Sequence, residues 1–473
     1  MIRASIGELE SIVDGRIIAS SVADARATPV CGVGTDTRDD LTGRLFVAIR
    51  GARHDGHDHL EAAVAAGAVA AMVEAAEVDA RELVASTIPL LVVADPIDAL
   101  ATLARHHRAA FQGTVIGITG SAGKTTTRAI LEQLLVPLGR GTASIRSFNN
   151  HLGVPITILE ASSDDAWVVL EMGTSGPGEI AHLVDIARPE IAILTGTGRA
   201  HLEGFGSESG VAAEKAAILD GARLGVVNVD RPAIEAELPA RRASGMALIT
   251  YGEQDSADRR LQARRPNPSG GQRIRVGDFE ADFALDGRHN AINAVAAIEI
   301  ARHLGVSDAD LARGLASIRP PAMRFARRNF DGVLVLDDAY NANPESMRAS
   351  LEAFSEVVDA SVAAGSRRIA VLGAMLELGG GEAEMHHEIG TCAAATNLTH
   401  LFIVRDRGGD EIATGARAAG FPGTIQVVED ATEAAATVAS VVKAGDAVLV
   451  KASRGVGLEK VVDAIKRRRE ATG

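Results

Sequence analysis

A glycine-rich run, Gly120-Ser121-Ala122-Gly123-Lys124-Thr125-Thr126, stands between an apolar stretch and a helical one, and these residue types suit a polyphosphate. The glycines let the backbone turn tightly, so that successive N–H groups converge on phosphate oxygens. Lys124 supplies a point charge for the terminal phosphates, and the Thr125 hydroxyl is a ligand for magnesium. The spacing falls short of a strict GxxxxGK[ST] pattern, because Ile118 stands where the first glycine would be. A strand-to-helix turn with an incidental lysine is the bland alternative. The strand before, the helix after and three consecutive threonines favour a nucleotide.

A triphosphate also needs a metal shell. Glu171 lies near the end of the apolar run 167–172, just before Gly173, and the run 191–195 leads into Gly196, Gly198 and His201. Open α/β sheets bind ligands at the carboxyl ends of their strands. Glu171 and His201 are therefore candidates to join Thr125 around one Mg2+, an ion that prefers oxygen ligands and keeps several waters. Either residue alone is more often structural. Lys215 sits in the helical pattern GVAAEKAAIL, where a lone lysine reads as solvated, and nothing in its spacing selects it.

The elements that must position these groups follow from the apolar pattern. Strand-like runs at 44–49, 90–93, 114–119, 167–172, 191–195, 225–229, 333–337, 368–372, 401–404 and 447–451 alternate with Ala-rich helical stretches such as 286–304. That alternation predicts an α/β class with largely parallel sheets. At 473 residues the chain exceeds one ordinary core. Boundaries are expected near Gln112-Gly113, before the strand that enters the glycine-rich turn, and near Pro320-Pro321, read as interrupting a helix. The three expected domains are 1–112, 113–319 and 320–473, with 264–271 a hairpin-like loop inside the second. The basic run near the end, KRRRE, reads as a solvated helix end.

Composition excludes several classes. A formal charge of -14 argues against a broad nucleic-acid surface but leaves room for a local basic pocket. Cys31 and Cys392 are far apart and show no ligand spacing, so neither a disulfide framework nor a cysteine zinc site is expected. The start lacks a signal-peptide layout, and the Ala/Val-rich run 62–73 is too short to span a bilayer, which takes ~20 apolar residues. The expectation is a cytoplasmic, monomeric protein with no membrane insertion.

Taken in order, the motifs resemble the Mur ligase family over essentially the whole chain. TDTRDDLTGRLFVAIRGARHDGHDHLEAAVAAGA comes first; GITGSAGKTTT, FNNHLGVPIT, EMGTSGPGEI, AHLEGFGS and DGRHNAINAVAA follow; LDDAYNANPESM, LGAMLELG and KASRGVGLEKVV close the series. The pattern is nearest to members that add D-alanyl-D-alanine to UDP-N-acetylmuramoyl-tripeptide in peptidoglycan precursor synthesis. The resemblance implies an N-terminal α/β UDP-recognition domain, a central parallel-sheet ATPase domain of P-loop type and a C-terminal Rossmann-like α/β domain that closes on ATP and binds the incoming amine. It also implies an acyl phosphate route, with ATP and Mg2+ required.

Position by position, the resemblance implies that residues 120–126 hold the ATP phosphates and that Thr125, Glu171 and His201 ligate magnesium. Lys215 matches a lysine that is carbamylated in many of these enzymes, where the carbamate helps to hold a second Mg2+. His289, Asn290 and Asn293 match the ATP-contacting segment, with Asn293 at the base, and Arg324 and Asp338 match residues closing over the nucleotide. Thr35, Asp36, Thr37 and Arg38 would meet the UDP end of the substrate, and Asn149, Asn150, Asn341 and Asn343 would be substrate or active-site contacts. The chain departs from the family pattern at Ala122, 174–176, 196–199, Met323, Ala374 and Ala452. Alternatives are a ligase of this architecture joining another carboxylate and amine, a nucleotide-binding regulator and a motor-type NTPase. The UDP-recognition segment disfavours the first, the intact Lys124, Glu171 and Asp338 the second, and the missing strict Walker pattern the third.

Overall fold

Short runs rich in Val, Ile and Leu form strands covered on both faces, and Ala-rich helices return the chain between them, which gives parallel pairing. The computed structural model describes residues 1–18, 24–51, 54–80, 87–145, 148–199, 202–363 and 365–470, without the side chains of 79 and 80. These residues form four sheets. The first unit has a five-stranded sheet in the order Arg16–Ile18, Leu90–Val93, Ala70–Glu74, Leu45–Val47, Val33–Gly34, and a two-stranded ribbon pairing Arg3–Ser5 with Pro29–Cys31.

The central sheet has nine strands. Its parallel heart runs Ala247–Gly252, Leu224–Asn228, Ile191–Leu194, Thr114–Thr119, Trp167–Glu171 and Gly141–Ala143. Thr114–Thr119 pairs in parallel with both Trp167–Glu171 and Ile191–Leu194, with Glu171 opposite Ile118 and Leu194 opposite Thr119. Three strand ends, leading into Gly120, Met172 and Thr195, therefore open side by side. The sheet continues through Arg259–Pro266, Gln272–Val276 and Phe279–Phe283, of which the last two pairings are antiparallel. The loop expected at 264–271 shrinks to a hairpin turn after Pro266, closed by Asn267 N–H donating to the Gly271 carbonyl at 2.9 Å.

A six-stranded sheet forms the last unit, in the order Ala326–Phe330, Val333–Asp337, Ala447–Lys451, Arg368–Leu372, His400–Val404, Thr424–Val428. Separate apolar clusters cover its two faces, one around Leu336, Phe354 and Leu372, the other around Val335, Val371 and Val450. The first and central units, by contrast, share one continuous cluster in which Ile2, Leu9 and Leu100 lie with Ile158, Leu170 and Ile180. Ile2 N–H also donates to the Leu159 carbonyl at 2.7 Å.

One sequence reading needs correction at the second junction. Pro320 and Pro321 do not interrupt a helix: the helix Asp308–Ser317 has already ended, with Ile318 extended at ψ 142. The link then passes through Met323 and Phe325, both left-handed at φ 55 and φ 53. A side chain in that region costs roughly 1–2 kcal/mol, and glycine avoids the penalty while losing ~0.5–1 kcal/mol through its freer unfolded chain. Met323→Gly is expected to stabilise the protein by about 0.5 kcal/mol, read as a higher urea midpoint at unchanged m. A lower midpoint would place the strain elsewhere.

Candidate active site

The phosphate turn is shaped by close contacts that exclude side chains. A Cβ on Gly120 (φ 152) would lie 2.0 Å from the Thr195 hydroxyl, and one on Gly123 (φ 88) would lie 2.7 Å from the Asn293 amide oxygen. Both positions demand glycine. The turn is braced from the neighbouring strand end: Ser121 N–H donates to the Gly196 carbonyl at 2.9 Å, and the Thr195 hydroxyl donates to the carbonyls of Thr119 (3.2 Å) and Ala122. The helix Lys124–Leu135 begins directly after Gly123, so its unpaired N–H groups and positive dipole end point into the turn.

Cations crowd this end. The Lys124 ammonium donates to the Gly120 carbonyl at 2.6 Å, and burial pulls its pKa down to about 8, with nearby Glu171 opposing and Arg324 adding to the fall. Lys215, read from its helix pattern as solvated, is only 1% exposed. Burial lowers its pKa to about 7, helped by the charge of Lys124 and opposed by Glu214. The sequence pattern missed this because the helix Glu208–Ala216 is covered on the face that carries Lys215.

Thr125 and Glu171 are brought together as expected: the hydroxyl donates to a Glu171 carboxylate oxygen at 3.1 Å, and Arg128 donates to the other oxygen at 2.8 Å. Glu171 is fully buried. A hydroxyl and a carboxylate are hard oxygen donors of the kind magnesium takes. His201 lies outside the described residues. Glu214, next to Lys215, accepts from Gly178 N–H (2.7 Å), Ile180 N–H (2.8 Å) and the Thr174 hydroxyl (3.2 Å), which ties the loop after Glu171 to the lysine's helix.

The last unit supplies the opposite wall of a cavity of about 650 Å3 lined by Ser121, Gly123, His289, Asn293, Arg324 and Asp338 among others. Arg324 reaches across to the Thr125 hydroxyl at 3.2 Å, with its guanidinium 3.9 Å above the Tyr340 ring. Its Nε is buried without a partner among the described residues. Asp338 accepts from Phe325 N–H at 3.0 Å and from the Lys451 ammonium at 2.6 Å. Burial depresses the pKa values of Arg324 and Lys451. Asn343 caps the helix Pro344–Ser361 and donates to the Ser121 carbonyl at 3.0 Å, while Asn341 offers its carbonyl to Lys451 at 3.0 Å.

His289, partly buried, stands edge-on to Phe325 at 5.5 Å, and desolvation lowers its pKa to about 4, so it is a neutral ring at pH 7. Asn290 is bound to the Asp286 carbonyl at 2.8 Å, and Asn293 lies against the phosphate turn. Asn150 spends its amide oxygen on Leu152 and Gly153 N–H at the start of a helix, and Asn149 packs on Gly173 through its carbonyl at 2.7 Å. Thr35, Asp36, Thr37 and Arg38 lie together in the loop after Val33–Gly34, where Arg38 pairs with Asp36 at 2.5 Å. The sequence reading missed Lys451, Thr195, Asn228 and Glu345, all lining the cavity. Their types alone carried no signal, although Lys451 opened a motif that was noticed.

Three family descriptions match the chain in order: "Mur ligase family, catalytic domain" at residues 29–108, "Mur ligase middle domain" at 118–301 and "Mur ligase, glutamate ligase domain" at 323–454. The UDP-N-acetylmuramoyl-tripeptide–D-alanyl-D-alanine ligase of Bacillus subtilis is 31% identical over 468 residues, covering 98% of each chain. The enzyme of that name from Mycobacterium tuberculosis is 35% identical over 511 residues, again covering 98% of each. Among solved structures, MurF from Acinetobacter baumannii superposes with a TM-score of 0.85 at 26% identity, covering 99% of each chain. MurF ligase from Thermotoga maritima in complex with ADP does so with 0.79 at 30% identity, covering 96% of this chain and 100% of the other.

Proposed function

The chain belongs to the Mur ligase family, and from that membership we infer that it is the ATP-dependent ligase that joins D-alanyl-D-alanine to UDP-N-acetylmuramoyl-tripeptide, releasing ADP and phosphate. The observation that carries this reading is the convergence of the phosphate turn, Lys124, Thr125, Glu171 and buried Lys215 under Arg324, which comes from a separate unit. Three cations, Lys124, Arg128 and Arg324, face the Glu171 carboxylate in a chain whose formal charge is -14. Such local positive charge in a low-dielectric pocket suits a triphosphate.

Amide formation from a carboxylate in water is uphill because oxide is a poor leaving group. In the reaction inferred here, an oxygen of the terminal carboxylate attacks the γ-phosphorus of ATP, the bond to ADP breaks, and an acyl phosphate forms. Lys124 and Arg324 are placed to neutralise charge on the transferring group, which is where catalysis of phosphoryl transfer chiefly lies. The amine of D-alanyl-D-alanine then attacks the acyl carbon, gives up a proton, and phosphate departs. Enclosure between two units keeps water from the acyl phosphate. Thr125 and Glu171 would hold magnesium, which would supply charge neutralisation for the phosphates when bound.

The decisive assay is phosphate release with UDP-N-acetylmuramoyl-tripeptide and ATP, with and without D-alanyl-D-alanine. Sustained release only when both are present is expected. Release that ignores the dipeptide would shift the reading to another amine, and release without either would remove it from the ligases.

A further inference from the structure

The last unit is held over the cavity in a way that differs from the junction between the first two. Those two share a continuous apolar core. Across the second junction, apolar contact among the described residues is small, chiefly Leu202 against the last unit's core and the Phe325–His289 edge. What crosses it is polar, and much of it meets one helix, Pro344–Ser361, whose side chains line the cavity from Glu345 to Glu356.

Each end of that stretch is gripped by an arginine of the central unit. At the amino end the backbone N–H of Arg199, in the loop after Ile191–Leu194, donates to Glu345 at 3.2 Å, and its guanidinium donates to both oxygens of Glu388, on the neighbouring helix Glu382–Ala394, at 3.2 and 2.6 Å. Its Nε lies 3.6 Å from the same Glu345 oxygen. Arg348 stands 3.8 Å from Glu388, so the cluster alternates in sign. At the other end Arg264, from the strand Arg259–Pro266, makes a two-pronged pair with Glu356, one prong at 2.7 Å. All of these side chains are only partly exposed, from 16% to 40%.

We propose that Arg199 and Arg264 are positioning residues: Arg199 holds Glu345 and, on the neighbouring helix Glu382–Ala394, Glu388, while Arg264 holds Glu356, so that the helix Pro344–Ser361 is clasped at both ends and the last unit is kept closed over the cavity. The consequence is a closure that responds to ionic strength. Going from ~0.01 M to ~1 M salt shortens the Debye length from about 30 Å to about 3 Å, which weakens partly exposed pairs while leaving an apolar junction intact. Opening lowers the fraction of molecules able to enclose a nucleotide, and apparent affinity falls by that fraction.

The test is small-angle scattering of the full chain at low and high salt, without ligand, together with ADP binding by calorimetry. The wild type is expected to expand at high salt. The Arg199→Ala/Arg264→Ala double variant is expected to be expanded at both salts, with native circular dichroism and an apparent Kd for ADP raised roughly five-fold or more. Arg264→Glu should open the particle, and adding Glu356→Arg should close it again. Scattering that is unchanged in the double variant, or an expansion by Arg264→Glu that the swap does not reverse, overturns the proposal. The scattering arm does not depend on what the cavity binds, so its failure is distinct from failure of the nucleotide reading, which would show as no ADP binding by the wild type.

Discussion

Lys124→Ala is expected to lower kcat for ATP-dependent ligation on the order of a thousand-fold or more while leaving the protein folded. The magnitude follows from position. Lys124 heads a helix whose first turn faces the phosphate site, and its ammonium rests on the Gly120 carbonyl, where a phosphate oxygen can draw it away. Transferring phosphoryl groups spread charge over their oxygens, so a fixed cation in a desolvated pocket acts more strongly on the transition state than on the ground state. The fold should survive because the charged form of this lysine is disfavoured by burial, as its lowered pKa of about 8 records. Single-turnover phosphate release, paired with a thermal melt, checks both halves. Near-normal turnover by a folded Lys124→Ala enzyme would rule out the role.

Lys215→Ala is expected to be nearly as damaging, with a loss of about a hundred- to a thousand-fold in kcat that added bicarbonate does not restore. Lys215→Arg should do no better, since a guanidinium does not form a carbamate. We propose that Lys215 is carbamylated, a step that needs a neutral amine: its nitrogen attacks the carbon of CO2, a proton leaves, and an anionic carbamate results. With a pKa of about 7, roughly half of the Lys215 side chains are neutral at pH 7, against about one in three thousand for an ordinary lysine. The new negative charge would stand beside Lys124, whose own positive charge lowers the Lys215 pKa.

The same burial gives a stability signature. The folded pKa lies below the unfolded value of 10.5, so between about 7 and 10.5 the unfolded chain binds the extra proton and stability rises with pH. Below pH 7 the lysine is charged in both states and the full desolvation cost is felt. In CO2-free buffer, Lys215→Met should therefore melt higher than the wild type on the acid side, the gap closing as pH approaches 10.5. A wild-type advantage at pH 6, or full activity in Lys215→Ala, would take Lys215 out of the site.

The sequence by itself determined the local pieces. Alternating apolar and Ala-rich runs dictated strands and helices, and Thr114–Thr119, Val333–Asp337, Arg368–Leu372 and Ala447–Lys451 fell where the pattern put them, because a strand covered on both faces must be apolar throughout. The phosphate turn was legible for a similar reason: glycine at 120 and 123 and lysine at 124 are requirements of backbone geometry and charge that few other residues meet. Glu171 was legible because a parallel sheet delivers strand ends to one edge.

Tertiary structure alone decided the rest. Lys215 looked like any surface lysine, since solvation depends on what packs over a helix and not on the helix's own residues. Lys451 and Asp338 meet from positions 113 residues apart, and Arg199 finds Glu388 across 189. Partnerships of that separation are set by how whole sheets and helices dock, and no local spacing encodes them. The prolines at 320–321 taught the same lesson in reverse: they predict an extended link, but which way the last unit swings across the cavity was fixed by contacts made far along the chain.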